Sequence, residues 1–116
     1  MLSDIKTALI IAPHPDDEIL GCGGTIARMV AEGVAVHVVI MTKGQPPLFT
    51  VEQTENVWNE AMASHAYLGI ADTHWLDLPA AGMDAVPISR INAALLPIVE
   101  MVQPDTLFIP FFGDIH

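Results

Sequence analysis

Residues 7–18 read TALIIAPHPDDE, and this stretch decides the fold of the chain. Its first half is an uninterrupted apolar run, which is typical of a central parallel strand buried on both faces. Its second half places one histidine and three acids at the turn where this strand gives way to a helical pattern. Burying charge is costly unless something binds to it, so we expect a ligand at this turn, and a divalent metal ion in particular.

The composition predicts one globular domain over residues 1–116, with 52% hydrophobic and only 16% charged residues. Few charges among many apolar residues indicate a sheet that is covered on both faces. With 4 basic and 14 acidic residues, the formal charge is −10. That balance argues against nucleic acid or an anionic membrane as a partner, because nothing would neutralise their phosphates, and it is compatible with divalent cations.

The single cysteine, Cys22, cannot form an internal disulfide, and no basic segment followed by an apolar one opens the chain. No apolar stretch is long enough to span a bilayer. These features predict a cytoplasmic protein. The last residues, 111–116, follow a strand pattern without a closing helix, so we expect the chain to be truncated after its fourth strand.

Strand and helix patterns alternate along the chain. Strands are predicted over residues 7–12, 34–42, 73–78 and 106–110. Helices are predicted from residue 18 to about 32, from a capping box at Thr50 to Gly69, and over residues 88–102. This alternation predicts an α/β fold, Rossmann-like and three-layered (α/β/α) with a mostly parallel sheet. If the strand order is 3-2-1-4, ligands bind beyond the carboxyl ends of the first and fourth strands, where residues 13–18 and 111–116 lie.

His14 and Asp17 are three residues apart, which brings both side chains to one point in a tight turn. Both are ligand types found in hydrolytic zinc sites. Asp16 would face the attacking water and act as general base. We expect Glu18 to bond to backbone donors or to a basic neighbour.

Two alternatives stay open on these residues alone. The acids could simply cap the helix and interact with its dipole. The cluster Gly21–Gly24 begins a dinucleotide-binding pattern, although Ile26 occupies its third glycine position and the cluster follows an acidic turn. A Rossmann-type nucleotide-binding module is therefore the second hypothesis. Otherwise, we expect these glycines to allow the helix to lie close to the sheet.

The chain resembles the LmbE-like/PIG-L superfamily of zinc-dependent N-deacetylases. The resemblance rests on His-Pro-Asp-Asp-Glu at residues 14–18, followed by Gly23-Gly24. Supporting matches are Thr42-x-Gly44, Glu60 with Leu68-Gly69, Gln103-Pro104-Asp105 and Gly113-Asp114-Ile115-His116. The chain departs from the family pattern at Pro13, Gln45 and Val57, where Ala, Glu and a substrate-contacting Arg are usual.

The resemblance implies that His14 and Asp17 are ligands of Zn²⁺, or of another divalent metal, and that Asp16 is the general base. It implies that His116 assists catalysis by stabilising the oxyanion or protonating the leaving amine. The family's third zinc ligand would follow three residues after His116. The implied function is removal of an acetyl group from an N-acetylated sugar, glycoside or related amide.

A third hypothesis is a non-catalytic fragment that folds with a partner or as a homo-oligomer, because the fourth strand forms a sheet edge that invites pairing. Among the remaining side chains, we expect Trp58 to lie in the core, with a position beside the site as the less favoured alternative. His37 and His65 are predicted to be packed or surface residues rather than ligands.

Overall fold

The protein is described by a computed structural model over residues 4–14, 17–44, 49–79 and 85–109, with the side chains at 19–21 left aside. Strands and helices alternate in the predicted order. The elements are β1 (Thr7–Ala12), α1 (Asp17–Ala31), β2 (Ala35–Lys43), α2 (Val51–Leu68), β3 (Asp72–Pro79), α3 (Ile88–Val102) and β4 (Thr106–Phe108).

The sheet is parallel, and its strand order is β3-β2-β1-β4. In its register, Ile10 of β1 lies opposite Val38 of β2 on one side and Phe108 of β4 on the other. Residues 8–12 of β1 are all buried, as the apolar run predicted for a central strand. The α/β fold with a Rossmann-like strand order is confirmed.

Successive residues of β1 enter two different cores, because side chains alternate between the faces of a strand. Ala8 and Ile10 contact the core that contains Ile26 and Met29 of α1. The opposite core contains Leu9, Ile11 and Val39, and α3 covers it with Leu95, Ile98 and Val99. The helices therefore form one layer on each side of the sheet, as predicted.

The ends of two helices follow their sequence signals. The Thr50 hydroxyl accepts a hydrogen bond from Gln53 N, while Gln53 Oε1 accepts one from Thr50 N, which is the predicted capping box of α2. Gly69 ends α2 with φ of 80°, a left-handed conformation that glycine adopts at little cost. No helix among the described residues is long and apolar enough to cross a membrane.

The prediction that Trp58 lies in the core is wrong, since the residue is 43% exposed. In α2 only Ala61 and His65 are buried, so the helix presents a narrow strip to the sheet. Trp58 lies beside that strip and tilts against Trp75 of β3, with 6.4 Å between ring centroids. No residue of α3 is fully buried, and Ile88 is 74% exposed.

Candidate metal centre

The turn after β1 is hydrogen-bonded to the neighbouring strand at the carboxyl edge of the sheet. The Thr42 hydroxyl, fully buried near the end of β2, donates a hydrogen bond to the Pro13 carbonyl at 2.8 Å. A shift in the β2–β3 register lies between Ile40 and Thr42. Such irregularities are common beside functional sites, where they redirect the chain. The hydrogen bond holds the backbone that leads into His14.

His14 and Asp17 close a tight turn and share one point in space, as their spacing predicted. Asp17 N donates to the His14 carbonyl at 3.2 Å, and His14 N donates to Asp17 Oδ2 at 2.9 Å. The same Oδ2 atom lies 3.3 Å from His14 Nδ1. Asp17 is the first residue of α1, where the helix dipole favours a negative charge. One imidazole and one carboxylate therefore meet at the helix start.

This pair fits the chemistry of a zinc site but does not complete one. Imidazole nitrogen and carboxylate oxygen are both zinc ligands, and a hydrolytic site takes three protein ligands. Across residues 4–14, 17–44, 49–79 and 85–109, no group of three or more His, Cys, Asp or Glu is placed to hold a metal ion. Asp16 and His116, the predicted catalytic residues, lie outside the described residues, so their roles stay predictions.

Glu18 points the other way, into the protein, and its partner is His65 of α2. Glu18 is 0% exposed and His65 is 2% exposed. His65 Nε2 lies 2.7 Å from Glu18 Oε1, and His65 Nδ1 lies 2.6 Å from the Thr73 hydroxyl. Because a carboxylate only accepts hydrogen bonds, Nε2 donates to Glu18, and in the neutral imidazole Nδ1 accepts from Thr73.

These hydrogen bonds connect the first turn of α1 to α2 and to β3. The sequence predicted backbone donors or a basic neighbour for Glu18, and it did not identify His65 as the partner. A signal was present, because His65 interrupts the apolar stripe of α2 and a polar group on a buried stripe needs a partner. The second carboxylate oxygen, Glu18 Oε2, is buried without a hydrogen-bond partner among the described residues.

The charge of Glu18 also acts on Cys22, one turn along α1. Burial, and then the neighbouring Glu18 carboxylate, raise the pKa of the Cys22 thiol. A raised pKa keeps the thiol protonated and unreactive at neutral pH. Both effects oppose formation of the reactive thiolate at Cys22.

A groove of about 350 Å³ lies at the same edge of the sheet and is lined by Lys43, Thr54, Glu55, Trp58 and Asn59. Lys43 directly follows Thr42, the residue that holds the turn after β1. The Thr54 hydroxyl donates to the Gly44 carbonyl at 3.1 Å, which fixes one wall of the groove. An exposed aromatic ring among a few polar side chains is typical of a small-molecule site.

The glycines do not support the nucleotide-binding alternative. A dinucleotide site needs its glycines in the loop before the helix, where backbone N–H groups approach the pyrophosphate. Here Gly21–Gly24 lie within α1, and the helix begins with Asp17 and Glu18, two acids that would repel phosphate. The expected role in close helix–sheet contact is wrong at Gly24, because a Cβ added there would meet nothing within 4 Å.

Comparison with known proteins decides the family. A profile of PIG-L, described as GlcNAc-PI de-N-acetylase, matches residues 9–116. The chain belongs to the PIG-L family. The match includes the turn at residues 14–18, and it confirms the resemblance that the sequence motifs indicated.

Relatives of this PIG-L chain include named deacetylases. The diacetylchitobiose deacetylase of Thermococcus kodakarensis is 27% identical over 114 residues, which cover 93% of this chain and 42% of the relative. The 1D-myo-inositol 2-acetamido-2-deoxy-alpha-D-glucopyranoside deacetylase of Rhodococcus opacus is 54% identical over 40 residues, which cover 34% of this chain and 14% of the relative.

Among solved structures, the N,N'-diacetylchitobiose deacetylase of Pyrococcus horikoshii, complexed with its inhibitor MPG, matches with a TM-score of 0.77. It is 30% identical, and the alignment covers 91% of the PIG-L chain and 41% of that structure. The likeness confirms the α/β architecture. The chain spans less than half the length of each of these three relatives.

Proposed function

We propose that residues 1–116 form one α/β domain, the N-terminal part of a zinc-dependent N-deacetylase. The proposed substrate class is an N-acetylated sugar, glycoside or related amide. The observation that carries the proposal is the convergence of His14 and Asp17 at the carboxyl edge of a parallel sheet in a PIG-L chain. The names of its relatives, which are deacetylases of acetamido sugars, support the substrate class.

In this proposal His14 and Asp17 hold the metal ion, and the third ligand is the histidine that the family resemblance implies three residues after His116. A bound zinc ion lowers the pKa of water to about 7 and polarises an acyl carbonyl. The chain's own contribution is to orient the two ligands. The Thr42 hydroxyl fixes the backbone before His14, and the buried Glu18 carboxylate fixes the first turn of α1 after it.

Asp16 is the proposed general base, and it takes a proton from water as the water oxygen adds to the acyl carbon. His116 stabilises the oxyanion that results, or protonates the leaving nitrogen. The C–N bond then breaks, which releases acetate and a free amine. The proton on the leaving nitrogen comes from His116 or, where His116 only stabilises the oxyanion, is the one that Asp16 took from the water.

The groove beside Trp58 and Lys43 is the proposed place for the rest of the substrate. Its aromatic ring supplies an apolar surface, and Glu55 and Asn59 supply polar groups that suit hydroxyl-bearing ligands. The acidic balance of the chain favours a neutral substrate or cationic product over a polyanion.

Zinc analysis tests the metal assignment directly. The chain is purified without chelator, and bound zinc is measured by mass spectrometry for the wild type and for His14→Ala, Asp17→Asn and Gly24→Ala. The last variant is the matched control, because it alters the glycine cluster at a position with open space. We expect zinc to be lost in the first two variants and kept in Gly24→Ala. Zinc content that is the same in all four proteins would exclude His14 and Asp17 as ligands.

Release of free amine from N,N'-diacetylchitobiose, measured with and without added zinc, tests the reaction. In a protein that includes the histidine proposed three residues after His116, we expect release that depends on zinc and is abolished in Asp16→Asn. Release that survives this substitution would remove Asp16 from the role of general base.

A further inference from the structure

A second pair of histidines lies across the two outer strands, far from the candidate metal centre. We propose that His37 of β2 and His74 of β3 form a second binding site for a divalent transition metal ion. The ion would be of the borderline class that prefers imidazole, such as Zn²⁺, Ni²⁺ or Cu²⁺. This inference does not depend on the proposed deacetylase activity.

The sheet register places these two residues on one face. His37 lies opposite Asp72, and Val39 lies opposite His74. Val39 and Leu76 belong to the core under α3, so alternation places His37, Asp72 and His74 on that same face of the sheet. They lie at the amino end of the strands, about 16 Å along β2 from Thr42 at the other end.

The two rings meet edge to edge, with ligand nitrogens facing each other. His37 Nδ1 lies 3.4 Å from His74 Nε2. The ring centroids are 5.7 Å apart and the planes differ by 18°. The centroid separation exceeds the nitrogen separation by about two ring radii, so the two nitrogens lie between the rings and the rings are not stacked face to face.

This separation is what a tetrahedral metal ion requires. Zinc–nitrogen bonds of about 2.0–2.1 Å place two ligand nitrogens about 3.3–3.4 Å apart. The strands that carry the histidines therefore do not need to move. Each ring needs only a rotation about its side-chain bonds to direct its lone pair at an ion beside the line that joins the two nitrogens.

The surroundings favour the neutral ring that binds metal. Burial, and then the neighbouring His74, lower the pKa of His37, while the opposite charge of Asp72 acts in the other direction. A neutral imidazole needs to lose no proton before it binds a metal ion. Asp72 Oδ1 accepts a hydrogen bond from Thr73 N at 2.9 Å, and the described residues contain no group of three ligands. The site is thus two imidazoles, with water completing the coordination.

The competing explanation is a plain hydrogen bond, in which one ring donates an N–H group to the other. That interaction requires no metal and predicts no affinity for one. It also predicts that each histidine contributes to stability whether or not metal is present. Metal binding and its dependence on both histidines therefore separate the two explanations.

The test uses the 116-residue chain and NiCl₂ as the probe, with binding measured by isothermal titration calorimetry. All variants carry His14→Ala, so that the candidate metal centre does not contribute. We expect His37→Gln and His74→Gln each to weaken Ni²⁺ binding by about tenfold or more, because the ion then keeps only one of its two imidazole ligands. The double variant keeps neither imidazole and should bind Ni²⁺ more weakly than either single variant. Ser64→Ala, at an exposed position of α2, is the matched control and should bind as the parent does.

Electron paramagnetic resonance with Cu²⁺ gives a second readout that needs no substitution at the site. The His14→Ala protein should show hyperfine coupling to two imidazole nitrogens at one equivalent of copper. Coupling to fewer than two, or Ni²⁺ affinity unchanged in both glutamine variants, would overturn the proposal. Circular dichroism confirms that each variant is folded before it is titrated.

Discussion

Replacing His65 with alanine leaves the Glu18 carboxylate buried without its hydrogen-bond partner. Glu18 is 0% exposed and His65 is 2% exposed, so the pair is shielded from bulk water. Leaving a buried charged group without its hydrogen-bond partner costs more than the roughly 1–3 kcal/mol that a neutral group loses. The Thr73 hydroxyl, 2.6 Å from His65 Nδ1, also loses its partner. We expect a loss of about 3 kcal/mol or more, against about 5–15 kcal/mol for the total stability of a typical domain.

Three further variants distinguish the loss of the hydrogen bond from the loss of side-chain volume. The double variant Glu18→Leu with His65→Leu replaces both partners with apolar groups, and we expect it to unfold at a free energy close to that of the wild type. His65→Gln keeps one N–H donor and one acceptor, so it should fall between the wild type and His65→Ala. Ser64→Ala changes an exposed neighbour on α2 and should stay within about 0.5 kcal/mol.

Urea unfolding followed by circular dichroism at 222 nm supplies the free energies by linear extrapolation. The decisive comparison is between His65→Ala and the double leucine variant. If His65→Ala costs less than about 1 kcal/mol, the carboxylate is not held in a dry environment and the reasoning fails. A double variant as unstable as His65→Ala would also refute it, because the loss would then reflect side-chain volume.

Three other measurements test the structure. The backbone N–H of Lys6 donates a hydrogen bond to Asp105, and this is the main reason why the pKa of the Asp105 carboxyl group is lowered. The carboxylate therefore stabilises the fold above the ordinary carboxyl pKa, and this stabilisation is lost as the pH falls through the folded-state pKa. Asp105→Asn should therefore be less stable than the wild type at neutral pH and equal to it in strong acid, as measured by thermal unfolding; an equal deficit at both pH values would contradict this. The raised pKa of Cys22 predicts alkylation by iodoacetamide more slowly than for free cysteine at mildly alkaline pH, with the urea-unfolded chain as control; equal rates in both states would contradict it. If the groove holds the substrate as proposed, Trp58→Ala should raise KM for diacetylchitobiose more than it lowers kcat, because the ring lines the groove; a pure loss of kcat would place Trp58 at the chemistry instead.

The features that were predictable from sequence depend on neighbours along the chain. The run at residues 7–12 identified the central strand because every position is apolar. Thr50 with Gln53, and Gly69, marked the ends of α2 because caps are local hydrogen-bond patterns. The closeness of His14 and Asp17 followed from a spacing of three residues within one turn.

The features that were not predictable depend on contacts between distant elements. Glu18 and His65 are 47 residues apart, and no local sequence pattern indicates that they are in contact. His37 and His74 are 37 residues apart and become neighbours only through the β2–β3 register. Trp58 follows the helical spacing of a core residue, yet only Ala61 and His65 of α2 are buried, because the width of the contact is set by the sheet beneath it.

The alternation of residues along β1 has a consequence for how the molecule unfolds. Ala8 and Ile10 belong to one core, while Leu9 and Ile11 belong to the other. Neither layer of helices can separate from the sheet without exposing one side of this strand to water. Loss of β1 removes side chains against which both layers pack. Loss of β1 therefore disrupts both cores together, and no intermediate can keep one of them intact after β1 has left.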